Sequence, residues 1–432
     1  MSLKVRKQTL YQYILIYIML LFNQSNLYQT LIYPNQVVVF IFTVFMAIIL
    51  LFKHKEKEIK SLWLIGILLL FTIIVRLIKG GIGIVFWCEI ALKIEIVYLA
   101  ILEDRKCFID RFVRVVFILA GISIVFWLLQ NFGFNLAQNI LYHYFTEGTY
   151  AVYDINWNRT IYNHSGYGML FYSYLTSYPN RNVGIFTEPG IFQAVLNTAL
   201  FCIIIFSKCI YVTKRKLLRI FVVIFIAILT SQSTSGYFGL CAVLIIALFR
   251  NTSYNLKKYI IKLIMIGVII LGIEYIIREE KSLFETAILL KVFDSSNRFS
   301  LIAENSTGIW RLATLNMAIL AMLKYPMGLG VDSWINFRSS NFYSGPGGWP
   351  FTLGAILGVI PFLISLYWIF RPLKYFKTDY LAIILFLFLY FNTSIAQTSA
   401  FYPVLILIPI YLNVTKRYNE KIIISENNNY LL

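Results

Sequence analysis

Phe112-Val-Arg-Val-Val-Phe-Ile-Leu-Ala-Gly-Ile-Ser-Ile-Val-Phe-Trp-Leu-Leu-Gln130 holds a single charge, Arg114, in nineteen residues. A helix crosses the hydrocarbon of a bilayer with about 20 mostly apolar residues. This stretch has that length and composition, and it predicts a membrane-spanning helix. The same reading applies to 9–25, 36–52, 61–78, 82–102, 186–206, 217–233, 236–249, 259–277, 351–370, 379–396 and 399–414. The composition agrees. Of 432 residues, 59% are hydrophobic and 13% charged, and the mean hydropathy is +0.74. A water-soluble chain carries about 25% charged residues, so several soluble domains in tandem are excluded as a reading. The expected fold is all-α: one polytopic integral membrane domain over 1–432 with about 12 spanning helices. Lys4, Arg6 and Lys7 precede the first apolar run, which lacks a small-residue cleavage site. That pattern predicts an uncleaved first helix rather than a removed signal peptide.

The formal net charge of +18 would point to nucleic acid on a soluble domain. Here it is read by position. Cytoplasmic loops concentrate Lys and Arg, and placing the N-terminus inside puts 26 of the 38 basic residues on that side. They fall before the first helix, in 53–60, 103–114, 207–219, 250–262 and 371–377, and after the last helix. The segment 311–323 is moderately apolar. If it spanned, the basic 371–377 loop and C-terminus would move outside, so it is expected as an outer-surface or re-entrant helix. Both termini are then cytoplasmic, and nucleic acid is not an expected partner.

Two long outside loops remain, 131–185 and 278–350. They are rich in Tyr, Trp, Phe, Asn and Gly. Aromatic faces stack on sugar rings and amides pair with hydroxyls, so the loops suit a hydroxyl-rich ligand. Some of these aromatics also belong to the interfacial belt. The five cysteines, Cys88, Cys107, Cys202, Cys209 and Cys241, avoid both loops and predict no disulfide framework. The three histidines, His54, His143 and His164, are too few and too scattered for a His-based metal site. No phosphate-binding glycine loop or dinucleotide fingerprint is present, and neither metal nor cofactor is expected.

Three stretches concentrate polar chemistry. The first is Arg181-Asn-Val-Gly-Ile-Phe-Thr-Glu-Pro-Gly190, where the first long loop enters a helix. Thr187 is the expected N-cap, with Glu188 and Pro189 in the first turn. Capping alone does not call for Arg181, so Arg181 and Glu188 are candidate functional charges. The second is Thr230-Ser-Gln-Ser-Thr-Ser-Gly236, a hydroxyl-rich turn between two helices. The third runs from Gly308-Ile-Trp-Arg311 to Pro326-Met-Gly328-Leu-Gly330. Inside the apolar segment 82–102, Glu89 and Lys93 stand at i, i+4 and are expected to pair. Arg76 is another possible partner, and an ion path involving Glu95 is the alternative reading.

Together these stretches resemble the O-antigen polymerase (Wzy) and O-antigen ligase superfamily of bacterial envelope proteins. Members typically carry an Arg-x-x-Gly-[Ile/Val]-Phe-x-Glu-Pro-[Gly/Ser] stretch, matched by Arg181 to Gly190. A Thr-x-Ser-x-[Thr/Ser]-Gly turn follows, matched by Thr230 to Gly236 with one extra residue. A Gly-x-x-Arg helix then leads to a Pro-x-Gly-x-Gly turn, matched by Gly308, Arg311, Pro326, Gly328 and Gly330. The likeness covers about 180–370. Ligases of the superfamily tend to carry a His late in the second loop. Here 339–350 has none, which puts the polymerase reading ahead of the ligase reading.

The resemblance implies a GT-C-type glycosyltransferase in the bacterial inner membrane. It would join undecaprenyl-pyrophosphate-linked oligosaccharide repeat units at the outer face. Membrane lipid, a chain-length regulator and a flippase are the implied partners. Breaking a sugar–pyrophosphate bond leaves a polyanion, whose developing charge calls for fixed cations. Arginine's fork fits phosphate oxygens. Arg181 and Arg311 are the leading candidates, followed by Arg298, Arg159 and Arg278. Glu188 is the candidate base or Arg181 partner. Gly328, Gly330 and Tyr343 are candidate substrate contacts. A ligase-type transferase and a lipid-linked-sugar flippase or transporter are the alternatives.

Overall fold

The computed structural model describes residues 3–32, 35–54, 84–133, 148–154, 159–167, 170–175, 179–250, 307–330, 333–334, 336–337, 351–376, 379–392 and 403–415, with isolated positions at 66, 70, 74, 136 and 261. The apolar segments that fall among these residues are helical. In chain order they form α1 (Leu3–Leu21), α2 (Gln36–Lys53), α3 (Ile84–Leu102), α4 (Phe108–Phe132), α5 (Pro189–Ile205), α6 (Lys214–Ser231), α7 (Thr234–Phe249), α8 (Thr307–Lys324), α9 (Phe351–Leu357), α10 (Val359–Phe370), α11 (Tyr380–Asn392) and α12 (Pro403–Val414). The expected spans 61–78 and 259–277 lie almost wholly outside the described residues, as does most of the second long loop. α4 is long and apolar enough to cross a membrane, by length and composition. The apolar parts of α1, α2, α5, α7 and α12 run 10–17 residues.

The packing is built around α5. This helix is largely apolar and buried along nearly its whole length, as expected for a helix without a solvent face. It packs against α4, α6, α7, α11 and α12, while α3 bridges α1, α2 and α12. One contiguous apolar core runs from Leu15 to Leu412. Glu89 and Lys93 are both buried in α3, and their side chains meet at 2.6 Å. The ammonium of Lys93 also lies 5.6 Å from the Tyr28 ring centre. The i, i+4 pairing read from the sequence is therefore the observed one, and Arg76 lies outside the described residues.

Two features depart from the helical pattern. The first long loop carries a three-stranded antiparallel sheet: β1 (Gly148–Asp154), β2 (Arg159–Tyr167) and β3 (Tyr174–Leu175). Strand signals there were hidden among turn-forming residues and aromatics, which serve loops and strands alike. The apolar segment 351–370 is also not one helix. Gly358, at φ 101°, separates α9 from α10. A side chain is strained in that conformation, whereas glycine adopts it readily.

The segment expected near 311–323 is a longer helix, Thr307–Lys324. Met317, Ala318, Ala321 and Met322 are buried, and the Met322 sulfur packs where a Cβ on Gly354 of α9 would stand. Leu320 and Leu323 remain exposed.

Candidate functional site

The first motif is an extended segment sunk among helices. Asn182 to Thr187 are all buried, and Arg181 and Glu188 flank them half-buried. The chain beyond the end of α1 supports it on one side. Ser25 forms an antiparallel bridge with Phe186, and the Asn26 N–H donates to the Ile185 carbonyl at 2.9 Å. The Gln24 carbonyl accepts from both the N–H and the hydroxyl of Thr187, each at 3.3 Å.

That pairing corrects the expected cap. Thr187 faces Gln24, so Glu188 becomes the N-cap of α5, with extended backbone (φ −149°, ψ 146°) and Pro189 next. Proline suits this first helical position because it lacks an N–H that would otherwise be unsatisfied. The Glu188 carboxylate makes no capping hydrogen bond, so the cap does not consume it.

Asn182 clamps the other side. Its amide nitrogen donates to the Ser123 hydroxyl of α4 and to the Thr230 hydroxyl of α6, both at 3.0 Å. Its side-chain oxygen accepts from the Gly184 N–H at 3.1 Å, and its own N–H donates to the Thr230 carbonyl at 3.0 Å. Asn180 is held as well, since its carbonyl accepts from the Trp127 indole at 2.9 Å and from the Gln232 amide at 3.3 Å. Arg181 therefore stands between two fixed neighbours. Ser123 lies nine residues before the end of α4, or about 13 Å along a helix rising 1.5 Å per residue. The clamp therefore meets α4 well before its end and α6 in its last turn.

The hydroxyl-rich stretch is brought to the same place. α6 ends at Ser231, Gln232 turns in the left-handed region, and Ser233 caps α7, so only a tight turn separates the two helices. Gln193 of α5 donates to the Ser235 hydroxyl at 3.2 Å, and Ser233 and Ser235 hydroxyls meet at 3.1 Å. Asn197 donates to Gln193 at 2.9 Å and to the Gly236 carbonyl at 3.2 Å. A Cβ on Gly236 would lie 2.8 Å from the Gln193 side chain, so glycine permits the close approach. The second stretch thus bonds to the first motif through Thr230 and Gln232 and to α5 through Ser235 and Gly236.

Backbone strain marks the same segment. Among the described residues, the non-glycine positions with positive φ are Gln24 (63°) and Gln232 (48°). Both hydrogen-bond to the stretch 180–187, which also holds Gly184 at φ 59°. Such conformations cost about 1–3 kcal/mol each and cluster at functional sites. Tyr172 lies close by, buried and stacked on Phe126 at 5.1 Å. Its neighbour Ser173 donates its N–H to Gly184. Burial pushes the Tyr172 phenol well above its ordinary pKa, so it stays neutral and is unsuited to act as a base.

The third motif is organised around α8 and α9. Arg311 is in the first turns of α8. Gly328 and Gly330, at φ 80° and 77°, spend their backbones on a clamp. The N–H groups of Leu329 and Gly330 donate to the carbonyls of Ala355 and Ile356 at 2.9 and 3.0 Å, and Val359 donates to Pro326 at 2.8 Å. A Cβ on Gly328 would stand 2.7 Å from the Gly358 nitrogen. Close packing of two backbones accounts for Gly328, and its positive φ for Gly330. Arg159 opens β2, opposite Asp154 in register. Arg278, Arg298 and Tyr343 lie outside the described residues.

Gln24, Ser123, Gln193 and Asn197 lie outside the three motifs, and Asn182 and Gln232 stand inside them with no expected role. One signal was available: Gln193 and Asn197 stand at i, i+4 in an otherwise apolar helix, where an amide needs a buried partner. Comparison with family models, with characterised proteins and with solved structures finds no match.

Proposed function

We propose that this chain is a polytopic bacterial inner-membrane glycosyltransferase of the GT-C type. It joins undecaprenyl-pyrophosphate-linked oligosaccharide repeat units at the outer face, as the motif order implies for a Wzy-like polymerase. The observation that carries the reading is the convergence of two of the three motifs. Residues 181–188 and 230–236, far apart in sequence, meet through two hydrogen bonds from Asn182 to Thr230, and Gln232 bonds to Asn180, so the neighbours on both sides of Arg181 are held by the same turn. A lipid setting is supported by α2, whose Ile41, Phe45, Leu51 and Phe52 are exposed and apolar. A contiguous surface of this kind marks contact with an apolar phase or partner.

In the proposed step, the acceptor sugar's hydroxyl oxygen bonds to the anomeric carbon of the donor. The bond from that carbon to the pyrophosphate oxygen breaks, and the pair of electrons leaves with the pyrophosphate. Arg181 and Arg311 neutralise the departing charge, an effect that is large when donors are held in place beforehand. Glu188 takes the hydroxyl proton, a contribution of about 10²–10⁴ in rate. The transporter alternative drew on Glu89, Lys93 and Glu95. With Lys93 ion-paired to Glu89 and both buried, two of those charges are accounted for structurally.

The test is direct. Purified protein incubated with lipid-linked repeat units should yield a ladder of chain lengths. Arg181→Ala and Arg311→Ala should each lower the rate by about 10²-fold or more while the protein still inserts. Full-length ladders from both variants would overturn the assignment. A ligase would instead leave the repeat number unchanged and move finished glycan to another acceptor.

A further inference from the structure

The strand that supports the first motif rests in turn on a buried charge. Residues 24–26 bond to 185–187, and the Gln24 carbonyl takes both donors of Thr187, the residue before Glu188. Gln24 holds φ 63°, a conformation that persists in a non-glycine residue only where the surroundings impose it. The flanking residues supply those surroundings. The Asn23 side-chain oxygen accepts from the Val404 N–H of α12 at 3.1 Å. The Tyr28 N–H donates to the Ser25 hydroxyl at 3.1 Å. The Tyr28 ring is fully buried, with the Phe22 ring centre 5.0 Å away and the Lys93 ammonium of α3 5.6 Å away.

Stability alone gives little reason for a lysine at that place. Taking an ammonium out of water is costly, and Lys93 is only 2% exposed. Its partner Glu89 is buried too, and among the described residues one Glu89 oxygen has no hydrogen-bond partner. A buried pair left partly unsatisfied stabilises less than two apolar side chains of similar volume. What Lys93 does supply is a fixed cation over an aromatic ring, an attraction that grows where water is excluded.

We propose that Lys93 is a positioning residue for the Thr187–Glu188 backbone. The ammonium fixes Tyr28, Tyr28 orders the 24–26 strand through Ser25, and the strand sets Thr187 and the start of α5 that follows it. Lys93 touches no substrate and carries no proton in this role. The inference rests on the glycosyltransferase reading, in which Glu188 takes the acceptor's proton, and it adds to that step a residue from another helix. A reacting group displaced by about 1 Å loses about 10²-fold in rate, so a small shift of the strand suffices.

Two readouts test this, one of them without turnover. Glu89→Leu with Lys93→Met removes both charges together and strands neither. In that variant, hydrogen exchange at the Asn26 and Thr187 amides of the full-length protein in nanodiscs should speed up by about tenfold, as expected for one lost cation–π contact. With lipid-linked repeat units, kcat should fall by about 10- to 100-fold. KM should hold, because substrate contacts are untouched. Lys93→Arg, which keeps a cation, should retain most of the parental exchange protection and kcat. If either variant fails to fold, Tyr28→Leu replaces it as the loss of the contact, with Tyr28→Phe as the variant that keeps the ring. Unchanged exchange, a rise in KM without a fall in kcat, or a Lys93→Arg protein that behaves like the charge-free variant would overturn the proposal. A parent that makes no ladder, with exchange still raised in the variant, would sink the polymerase reading and leave Lys93 as the support of the strand. A ladder from the parent, with parental exchange and kcat in the variant, would do the reverse.

Discussion

Asn182 shows how much one side chain can decide. It is completely buried, and its amide uses both its donors and its acceptor on three separate pieces of chain. In Asn182→Ala, the Ser123 and Thr230 hydroxyls keep bonds to the Ala120 and Ala227 carbonyls in their own helices. The Gly184 N–H does not have that recourse and is left buried without its acceptor. An unsatisfied buried donor costs about 1–3 kcal/mol, so thermal unfolding in detergent should shift down accordingly. Activity should fall further than stability, because the lost bonds flank Arg181. An Asn182→Ala protein as active as the parent at a temperature where both are folded would refute the clamp's role. The motif containing Asn182 was legible in the sequence, through Arg181, Glu188 and Pro189. The clamp was not, since an asparagine beside an arginine gives no hint of which distant hydroxyls it will meet.

At the scale of elements, α3 carries the clearest energetic prediction. Glu89 and Lys93 bury opposite charges within one helix. Removing one partner strands the other, a change worth about 3–5 kcal/mol, whereas replacing both with apolar residues of similar volume is often neutral or stabilising. Glu89→Gln should therefore unfold at markedly lower temperature, and Glu89→Leu with Lys93→Met should recover most of that loss. If the double variant folds like the parent but loses all activity, the pair is functional rather than structural. Gly328 and Gly358 are visible as glycines, but their positive φ and the approach of the two backbones appear only in the tertiary structure. Likewise Thr187 was a reasonable cap by type. It lost that place to Glu188 because Gln24, 163 positions away, offers its carbonyl.

For the whole molecule, the basic residues make a prediction that the bundle itself does not test. If the 26 cytoplasmic-side Lys and Arg set orientation, β2 lies outside and the basic start of α6 inside. In a cysteine-free background, Ser165→Cys should react with an impermeant thiol reagent applied to intact cells. Thr213→Cys should react only after the membrane is opened. The opposite labelling pattern would invert the topology and remove the outer-face site.

The helical bundle follows from the sequence by itself, because long apolar runs must satisfy their backbone groups internally, and a helix does so within each run. The locations of Arg181, Glu188 and Arg311 were also read from the chain, since charges are conspicuous where only 13% of residues carry them. Tertiary structure alone decided which stretches meet. The bridge of 24–26 to 185–187, the clamp from Asn182 to α4 and α6, and the contact of α5 amides with the 233–236 turn all join residues far apart in sequence. Hydrogen bonds of that kind depend on placement to a few tenths of an ångström. That precision comes from packed helices rather than from residue type.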